Sequence, residues 1–110
     1  STQILNQKKT EYKFLNFNYS NTNRKIFNEV RSLRLTEKEN DIFYYLINSK
    51  NKHLSKENLL KNIWNYRDGI DTHTVETHIY VLRKKIEQEL GIKNIIIYDE
   101  SGYKLNKELL

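Results

Sequence analysis

The side chains best suited to chemistry lie along one face of a segment that runs from about residue 72 to residue 90. Short polar groups come first along this face, and three consecutive cations come last. The face consists of His73, Thr74, Glu76, Thr77, Tyr80, Val81, Arg83, Lys84 and Lys85. Short polar groups can hydrogen-bond the edges of nucleobases, and long cations can reach phosphates. This layout suits a helix that enters the major groove of DNA, although an ordinary solvated helix face has a similar composition.

The histidines of this segment are not spaced as metal ligands. His73 and His78 are five residues apart, roughly 140° around a helix axis, so they do not share a face as a pair four residues apart would. The chain has no cysteine, which excludes a disulfide framework and a thiolate metal site. It also lacks a glycine-rich phosphate loop. We therefore expect no catalytic residue, no metal, no cofactor and no enzymatic activity.

The net charge of +5 does not by itself locate a nucleic-acid site. Residues 1–34 carry seven basic and two acidic side chains, whereas residues 35–110 carry twelve of each. The segment 72–90 is also balanced, with three basic and three acidic side chains. The case for nucleic-acid binding therefore depends on local clustering rather than on total charge.

The length of the chain fits one domain with a single modest core. No apolar run approaches the roughly 20 residues of a membrane span, and the absence of cysteine fits a reducing cytoplasm, so we expect a cytoplasmic protein without a membrane partner. We divide the chain into a tail or linker at residues 1–11, a small antiparallel sheet at 12–35 and a helical unit at 36–110. The sheet and the helical unit form one domain in this division.

The sheet is predicted from alternating side chains. Leu15, Phe17 and Tyr19 alternate with Asn16 and Asn18, which is the period of two of a half-buried strand. Residues 21–23 are a plausible turn. Segments 24–27 and 31–35 would then complete the antiparallel sheet.

Three helices follow, each with a recognisable start. Thr36 and Glu39 have the spacing of a capping box, and the helix that they open should end near Ser49. Ser55 caps the second helix, and Asp71 or Thr72 caps the third, which should stop at Gly91. The second helix places Leu59, Leu60, Ile63 and Trp64 on one face. The third turns Val75, Ile79, Leu82, Ile86 and Leu90 toward the core.

A β-hairpin closes the predicted fold. Segments 95–98 and 103–105 flank Asp99-Glu100-Ser101-Gly102, in which Gly102 takes a backbone angle that other residues avoid. The order of strands, three helices and a hairpin predicts an α+β fold, a winged helix-turn-helix with an N-terminal antiparallel sheet and a C-terminal hairpin wing.

Four motifs in this order resemble the DNA-binding effector domain of OmpR-type bacterial response regulators, over roughly residues 12–105. They are Leu35-Thr36-x-x-Glu39, then Leu54-Ser55-Lys56-Glu57-x-Leu59-Leu60-x-x-Ile63-Trp64, then Asp71-Thr72-His73-Thr74-Val75-Glu76-Thr77-His78-Ile79-Tyr80-x-Leu82-Arg83-Lys84-Lys85-Ile86, and finally Gly102-Tyr103-Lys104-Leu105. Each motif alone is weak evidence, but the four together with these spacings are highly specific.

The resemblance implies a fold, a function and partners. It implies a four-stranded N-terminal sheet, three helices and a wing, and sequence-specific binding of promoter DNA in transcriptional regulation. Family members commonly bind as homodimers on tandem half-sites, under the control of an N-terminal receiver domain. The segment between the second and third helices resembles the loop that meets RNA polymerase in activators. Here that loop is Asn65, Tyr66, Arg67, Asp68, Gly69 and Ile70.

The resemblance also implies roles for individual residues. The positions that match phosphate contacts in the family are Trp64, His73, Thr74, His78 and Arg83. The positions near base edges are Glu76, Thr77, Tyr80 and Val81. We add Lys84 and Lys104 as phosphate candidates, because each could place an ammonium group against the DNA backbone.

Two of these positions have alternative interpretations. Glu76 could accept a hydrogen bond from the amino group of cytosine, or could merely favour the positive end of the helix dipole. Trp64 could offer its indole N–H to a phosphate, but a core position is the stronger expectation.

The sequence departs from the family at two places. Many members have an arginine in the wing that enters the minor groove, whereas the aligned residues here include Asp99 and Glu100, so we expect no such contact. Asn40 stands where the family often has an aromatic residue, which suggests a smaller core contact. The acidic wing favours one alternative function, a winged-helix module that contacts protein or RNA.

Overall fold

The computed structural model describes residues 9–50, 52–65, 69–106 and 108. Ten elements follow one another in this part of the chain. The strands of the first sheet are β1 (Glu11–Phe14), β2 (Phe17–Ser20), β3 (Lys25–Phe27) and β4 (Ser32–Arg34). The helices are α1 (Glu37–Ile47), α2 (Lys56–Leu59), a π-helical turn (Leu60–Trp64) that continues α2, and α3 (Thr72–Leu90). The hairpin strands are β5 (Ile96–Asp99) and β6 (Gly102–Leu105).

The four N-terminal strands form an antiparallel sheet in sequence order, β1-β2-β3-β4. The predicted sheet and the turn after β2 are therefore confirmed, but the prediction for Leu15 is wrong. Phe14 pairs with Phe17, so Leu15 lies in the tight turn between them, with φ +52° and an exposed side chain. The alternation of apolar and polar residues continues through this turn, so the pattern does not show where the chain reverses.

Helix α1 begins at the predicted capping box. Thr36 Oγ1 accepts from the Glu39 backbone N–H at 3.2 Å, and Glu39 Oε1 accepts from the Thr36 N–H at 2.9 Å. Each side chain thereby satisfies one of the exposed amides at the start of the helix. The helix ends at Ile47, with Asn48 as its C-cap, slightly before the predicted end at Ser49.

Helix α2 begins as predicted, with Ser55 Oγ accepting from the Asn58 N–H at 3.0 Å. The four predicted apolar residues are all buried, although the second half of the segment is a π-helical turn. Asn65 ends it in the left-handed conformation, with φ +54°. A single π turn widens the helix locally, and such turns are frequent at functional sites.

Helix α3 confirms the predicted pattern of inward-facing residues. Asp71 caps it by accepting from the His73 N–H at 3.0 Å, and Gly91 ends it with φ +73°. Val75, Ile79, Leu82, Ile86 and Leu90 are all buried. The helix packs against β4, α1 and α2, so its buried stripe fixes which face remains outside.

The hairpin is tied to the segment before α2. Strands β5 and β6 pair in register from Ile96–Leu105 to Asp99–Gly102, and Leu54 forms an additional antiparallel bridge with Tyr103. Two backbone hydrogen bonds of 2.7 and 2.9 Å make this bridge. The wing is therefore joined to the start of α2 as well as to the end of α3.

Asn40 does more than leave a smaller core contact. It is buried, accepts from the Tyr19 hydroxyl at 2.6 Å, and donates to Asn21 Oδ1 at 2.9 Å. Burial raises the pKa of Tyr19 well above its ordinary value, so this hydroxyl is a permanent donor. The asparagine thus links α1 to the turn after β2.

Within the described ranges, no helix has the length and apolar character needed to cross a membrane.

Candidate nucleic-acid interface

The outward face of α3 is accessible along its whole length. His73, Thr77, Tyr80, Val81, Arg83 and Lys84 are exposed, and Thr74, Glu76 and His78 are half-buried. Tyr80, with 60% of its surface exposed, is the most prominent apolar group on this face. The structure therefore brings nine predicted DNA contacts together on one surface, which we call the α3 face. Whether each residue contacts DNA remains a prediction.

Two shallow depressions divide the α3 face around Tyr80. One is lined by His73, Glu76, Thr77 and Tyr80, and the other by Tyr80, Arg83, Lys84 and Glu87. Lys84 Nζ lies 5.8 Å from the centre of the Tyr80 ring, within the range of a cation–π contact. The short polar groups thus occupy the N-terminal half of the face and the cations the C-terminal half.

Glu76 is already engaged in an ion pair. Its Oε2 accepts from Lys56 Nζ at 3.2 Å, and its Oε1 lies 3.7 Å from His73 Nδ1. The hydrogen bond to Glu76 raises the pKa of Lys56 above its ordinary value, so the ammonium keeps its charge. Lys56 lies on α2, and the sequence motif gave no indication that it would reach α3. Lys56 and Glu76 are 20 residues apart and lie in two different helices, so no spacing rule within one helix predicts their contact.

Lys85 does not belong to the cationic end of the α3 face, contrary to the sequence interpretation. Its Nζ donates to Glu39 Oε1 at 2.7 Å, and Glu39 is only 5% exposed. Burial tends to raise the pKa of Glu39, but the hydrogen bonds from Lys85 and Thr36 outweigh it and hold the pKa below its ordinary value. Lys85 therefore joins α3 to the first turn of α1 and leaves Arg83 and Lys84 as the cations of the face.

Trp64 packs in the core, as the stronger of its two interpretations expected. It is 5% exposed and makes an edge-to-face contact with the His78 ring, with the ring centres 5.1 Å apart. His78 Nδ1 lies 2.9 Å from the Thr74 carbonyl oxygen, a contact that suits a protonated Nδ1. Lys38 Nζ lies 5.5 Å from the centre of the Trp64 ring. These contacts orient His78 toward the rim of the α3 face.

The wing carries acids at its tip, and one of them has a partner. Asp99 Oδ2 lies 2.8 Å from His53 Nε2, and Asp99 Oδ1 accepts from the Ser101 N–H at 2.8 Å. His53 Nε2 is buried and forms no hydrogen bond within the described residues, so the short distance to Asp99 is a contact without hydrogen-bond alignment. The histidine was not anticipated from the sequence.

Tyr103 and Lys104 point to opposite faces of the wing, as neighbours in a strand must. Tyr103 is buried beside Tyr98, with the ring centres 4.7 Å apart. Burial and the nearby Glu76 carboxylate raise the pKa of Tyr103. Lys104 is half-buried on the other face, opposite Ile97. A phosphate contact by Lys104 would therefore use the face of the hairpin opposite to Tyr103.

The predicted polymerase-contact loop is described only in part. Asn65 and Gly69 both have left-handed backbones, with φ +54° and φ +79°, and Ile70 packs partly against the core. Tyr66, Arg67 and Asp68 lie outside the described residues.

In the parts of the chain that are described, no cluster of three or more histidine, aspartate or glutamate side chains could hold a metal ion.

Comparison with known proteins identifies relatives of this fold. The family model described as "Transcriptional regulatory protein, C terminal" matches residues 29–105. An uncharacterized transcriptional regulatory protein of Bacillus subtilis, YclJ, is 44% identical over 55 residues, which cover 50% of this chain and 24% of that protein. The chain thus matches about a quarter of the length of this curated relative.

Two solved structures are similar over most of the chain. The DNA-binding domain of the response regulator AdeR, solved in complex with an intercistronic region, has a TM-score of 0.71 and 25% identity, covering 89% of this chain and 98% of its own. The response regulator DrrB of Thermotoga maritima, an OmpR/PhoB homolog, has a TM-score of 0.76 and 26% identity, covering 94% of this chain and 47% of its own. These likenesses confirm the predicted winged helix-turn-helix.

Proposed function

The chain belongs to the family of C-terminal domains of transcriptional regulatory proteins, of the OmpR type, and we propose that it binds double-stranded promoter DNA by laying α3 in the major groove. The family consists of DNA-binding transcription regulators and not of enzymes. The observation that carries the proposal is the accessible α3 face, which separates short polar groups from cations along one helix. A major groove about 12 Å wide accommodates such a helix.

We assign the two halves of the α3 face to different parts of the DNA. Glu76, Thr77, Tyr80 and Val81 face base edges in this arrangement, where a methyl group of Thr77 or Val81 can contact a thymine methyl. The phosphate contacts are Arg83 and Lys84, with His73, Thr74 and His78 along the rim of the face and Lys104 from the wing. Trp64 acts through packing, because its ring is buried against His78.

Arg83 should contribute to the binding of every DNA sequence. Arg83→Ala removes one exposed cation, so we expect about a tenfold loss of affinity at low salt and a salt dependence that is flatter by about one unit. The measurement is fluorescence anisotropy with a labelled operator and a scrambled duplex over a range of salt concentrations. Lys93→Ala is the matched control, because Lys93 is an exposed cation that lies beyond α3. An Arg83→Ala variant with the affinity of the control would rule out the groove-docked helix.

Tyr80 and Thr77 should affect which sequence is bound rather than how strongly all DNA is bound. Both side chains are exposed and line the depression in the N-terminal half of the α3 face, and Tyr80 also borders Arg83 and Lys84. We expect Thr77→Ala or Tyr80→Ala to lower discrimination at one or two base pairs by about 1–3 kcal/mol each. Selection of bound fragments from random DNA measures this preference. Equal losses on selected and scrambled duplexes would instead assign these residues to backbone contacts.

We propose three further features of the longer protein on the strength of family membership. The chain binds tandem half-sites as a homodimer, the loop 65–70 meets RNA polymerase, and a receiver domain controls the domain from the N-terminal side. The predicted linker to the sheet and helical unit then comprises residues 1–10, because Glu11 already pairs with Ser20 in β1, and the protein works in the cytoplasm. Analytical ultracentrifugation tests the first of these features. A duplex with two half-sites should bind two chains, and a duplex with one half-site should bind one.

The acidic wing supports one competing function, contact with protein or RNA. Asp99 and Glu100 are both exposed and would be repelled by a narrow minor groove. The salt dependence of duplex binding tests the DNA function, because each phosphate contact releases counterions from the duplex and steepens the fall in affinity as salt rises. Competition between duplex DNA and double-stranded RNA in the same anisotropy assay separates the two nucleic acids.

A further inference from the structure

We propose that Lys56 is a specificity-determining residue, which holds the Glu76 carboxylate so that one of its oxygens reads a base in the major groove. This inference rests on the proposed function, because it assigns a role within the same interface. The proposed function takes all base contacts from α3, whereas this inference gives a residue of α2 a part in recognising the sequence. Lys56 acts through Glu76 and is therefore a positioning residue.

The two oxygens of Glu76 have different surroundings. Oε2 accepts from Lys56 Nζ at 3.2 Å, whereas the contact recorded for Oε1 among the described residues is with His73 Nδ1 at 3.7 Å. A separation of 3.7 Å is too long for a hydrogen bond. The Glu76 side chain is 43% exposed, and it lines the depression that also contains Thr77 and Tyr80. Oε1 is thus available to an outside donor while Oε2 is engaged.

A carboxylate in the groove needs such a partner for electrostatic reasons. An uncompensated glutamate would be repelled by the phosphates on both sides of the groove, and its flexible side chain could turn away from the bases. The ammonium of Lys56 offsets the charge and limits the rotamers of Glu76. The remaining acceptor then suits an amino group on a base edge, as on cytosine N4.

Lys56 is well placed to act as a fixed support. It is the first residue of α2, directly after the Ser55 cap. Leu54, one residue earlier, is bridged to Tyr103 of the wing by two backbone hydrogen bonds. The backbone that carries Lys56 is therefore held by a helix cap and by the wing, and both restrict where its ammonium can lie.

The test compares base preference with general affinity in three variants of the full chain. Lys56→Met removes the ammonium and keeps most of the stem, Lys56→Arg keeps a cation, and Lys61→Met is a control for charge loss at an exposed lysine of the same helical segment. Each is subjected to selection from random duplex DNA and to anisotropy with selected and scrambled duplexes. The Lys56 side chain is 27% exposed and both replacements keep most of its stem, so thermal unfolding should change little in any of the variants.

We expect Lys56→Met to lose about tenfold in discrimination at one base pair per half-site, while its affinity for scrambled DNA matches that of Lys61→Met. Lys56→Arg should keep the preference. Glu76→Gln should lose preference at the same base pair, and the double variant Lys56→Met/Glu76→Gln should lose no more than Glu76→Gln alone.

Three results would overturn the proposal. Lys56→Met could keep the full preference, could lose affinity on selected and scrambled duplexes alike beyond the control, or could change a different base pair from Glu76→Gln. The first would show that Glu76 needs no support, and the second would make Lys56 a phosphate contact. A wild-type chain that selects no sequence would instead remove the proposed function, and this inference with it.

Discussion

Replacing Gly102 by alanine should destabilise the domain by about 3 kcal/mol, because two costs fall on the same residue. Its φ of +126° lies in a region that side chains rarely tolerate. A Cβ at this position would also lie 2.5 Å from the Leu54 carbonyl oxygen and 2.9 Å from the Ser55 nitrogen. These are backbone atoms, so no side-chain rotation can relieve the overlap, and the bridge between Leu54 and Tyr103 must open.

Gly69→Ala separates the two costs. Gly69 also has a positive φ, +79°, but nothing lies within 4 Å of the position that its Cβ would take. We expect this control to lose only about 1 kcal/mol, from backbone strain alone. Urea unfolding followed by tryptophan fluorescence measures both, since Trp64 is the single tryptophan and is buried. Equal losses in the two variants would show that the contact with Leu54 and Ser55 is unimportant.

The second large effect is expected at Glu39, where alanine should cost about 2–3 kcal/mol. The side chain completes the capping box of α1 and also accepts from Lys85 at 2.7 Å. Its loss leaves the Thr36 amide without its acceptor and leaves the Lys85 ammonium without its carboxylate partner. Glu37→Ala is the matched control, because Glu37 is an exposed acid in the same turn of the same helix.

The effect at Glu39 should depend on pH with a definite sign. The folded state holds the pKa of Glu39 below its ordinary value, so the folded form prefers the ionised carboxylate. Its stabilising contribution is then fully present above the ordinary pKa of a glutamate and is lost as the pH falls through the lower value of the folded state. Urea unfolding from pH 7 to pH 3 should show wild type and Glu39→Ala converging. A constant gap over that range would mean that the ionic contact contributes little.

Local patterns were enough to predict much of the architecture. The buried stripe of α3 follows from one spacing rule, and the three helix starts follow from residues whose side chains satisfy exposed amides. The position of Gly102 follows from the turn that a hairpin of this length needs. In each case, the residues that decide the outcome are close together in the chain.

The errors and omissions concern side chains whose partners are distant in sequence. Adjacency in the sequence groups Lys85 with Arg83 and Lys84, but a helix turns about 100° per residue, and this rotation brings Lys85 to Glu39 on α1. The pairing of Lys56 with Glu76 depends on how two helices cross, which neither sequence pattern contains. Leu15 is an error of a different kind, because its partners are local. The alternation with a period of two continues through the tight turn that contains Leu15, so nothing in the sequence marks the turn.

The bridge between Leu54 and Tyr103 has a consequence for the order of folding. The four strands of the first sheet are joined by short turns, and each helix forms from neighbouring residues, so these parts can begin to form early. The bridge requires the closure of a loop of roughly 50 residues, which costs more conformational entropy than the closure of the short turns. A chain still emerging from the ribosome can therefore assemble its sheet and first helices before its last residues exist. The wing, and the support that it gives to α2, is acquired only when synthesis of the domain is complete.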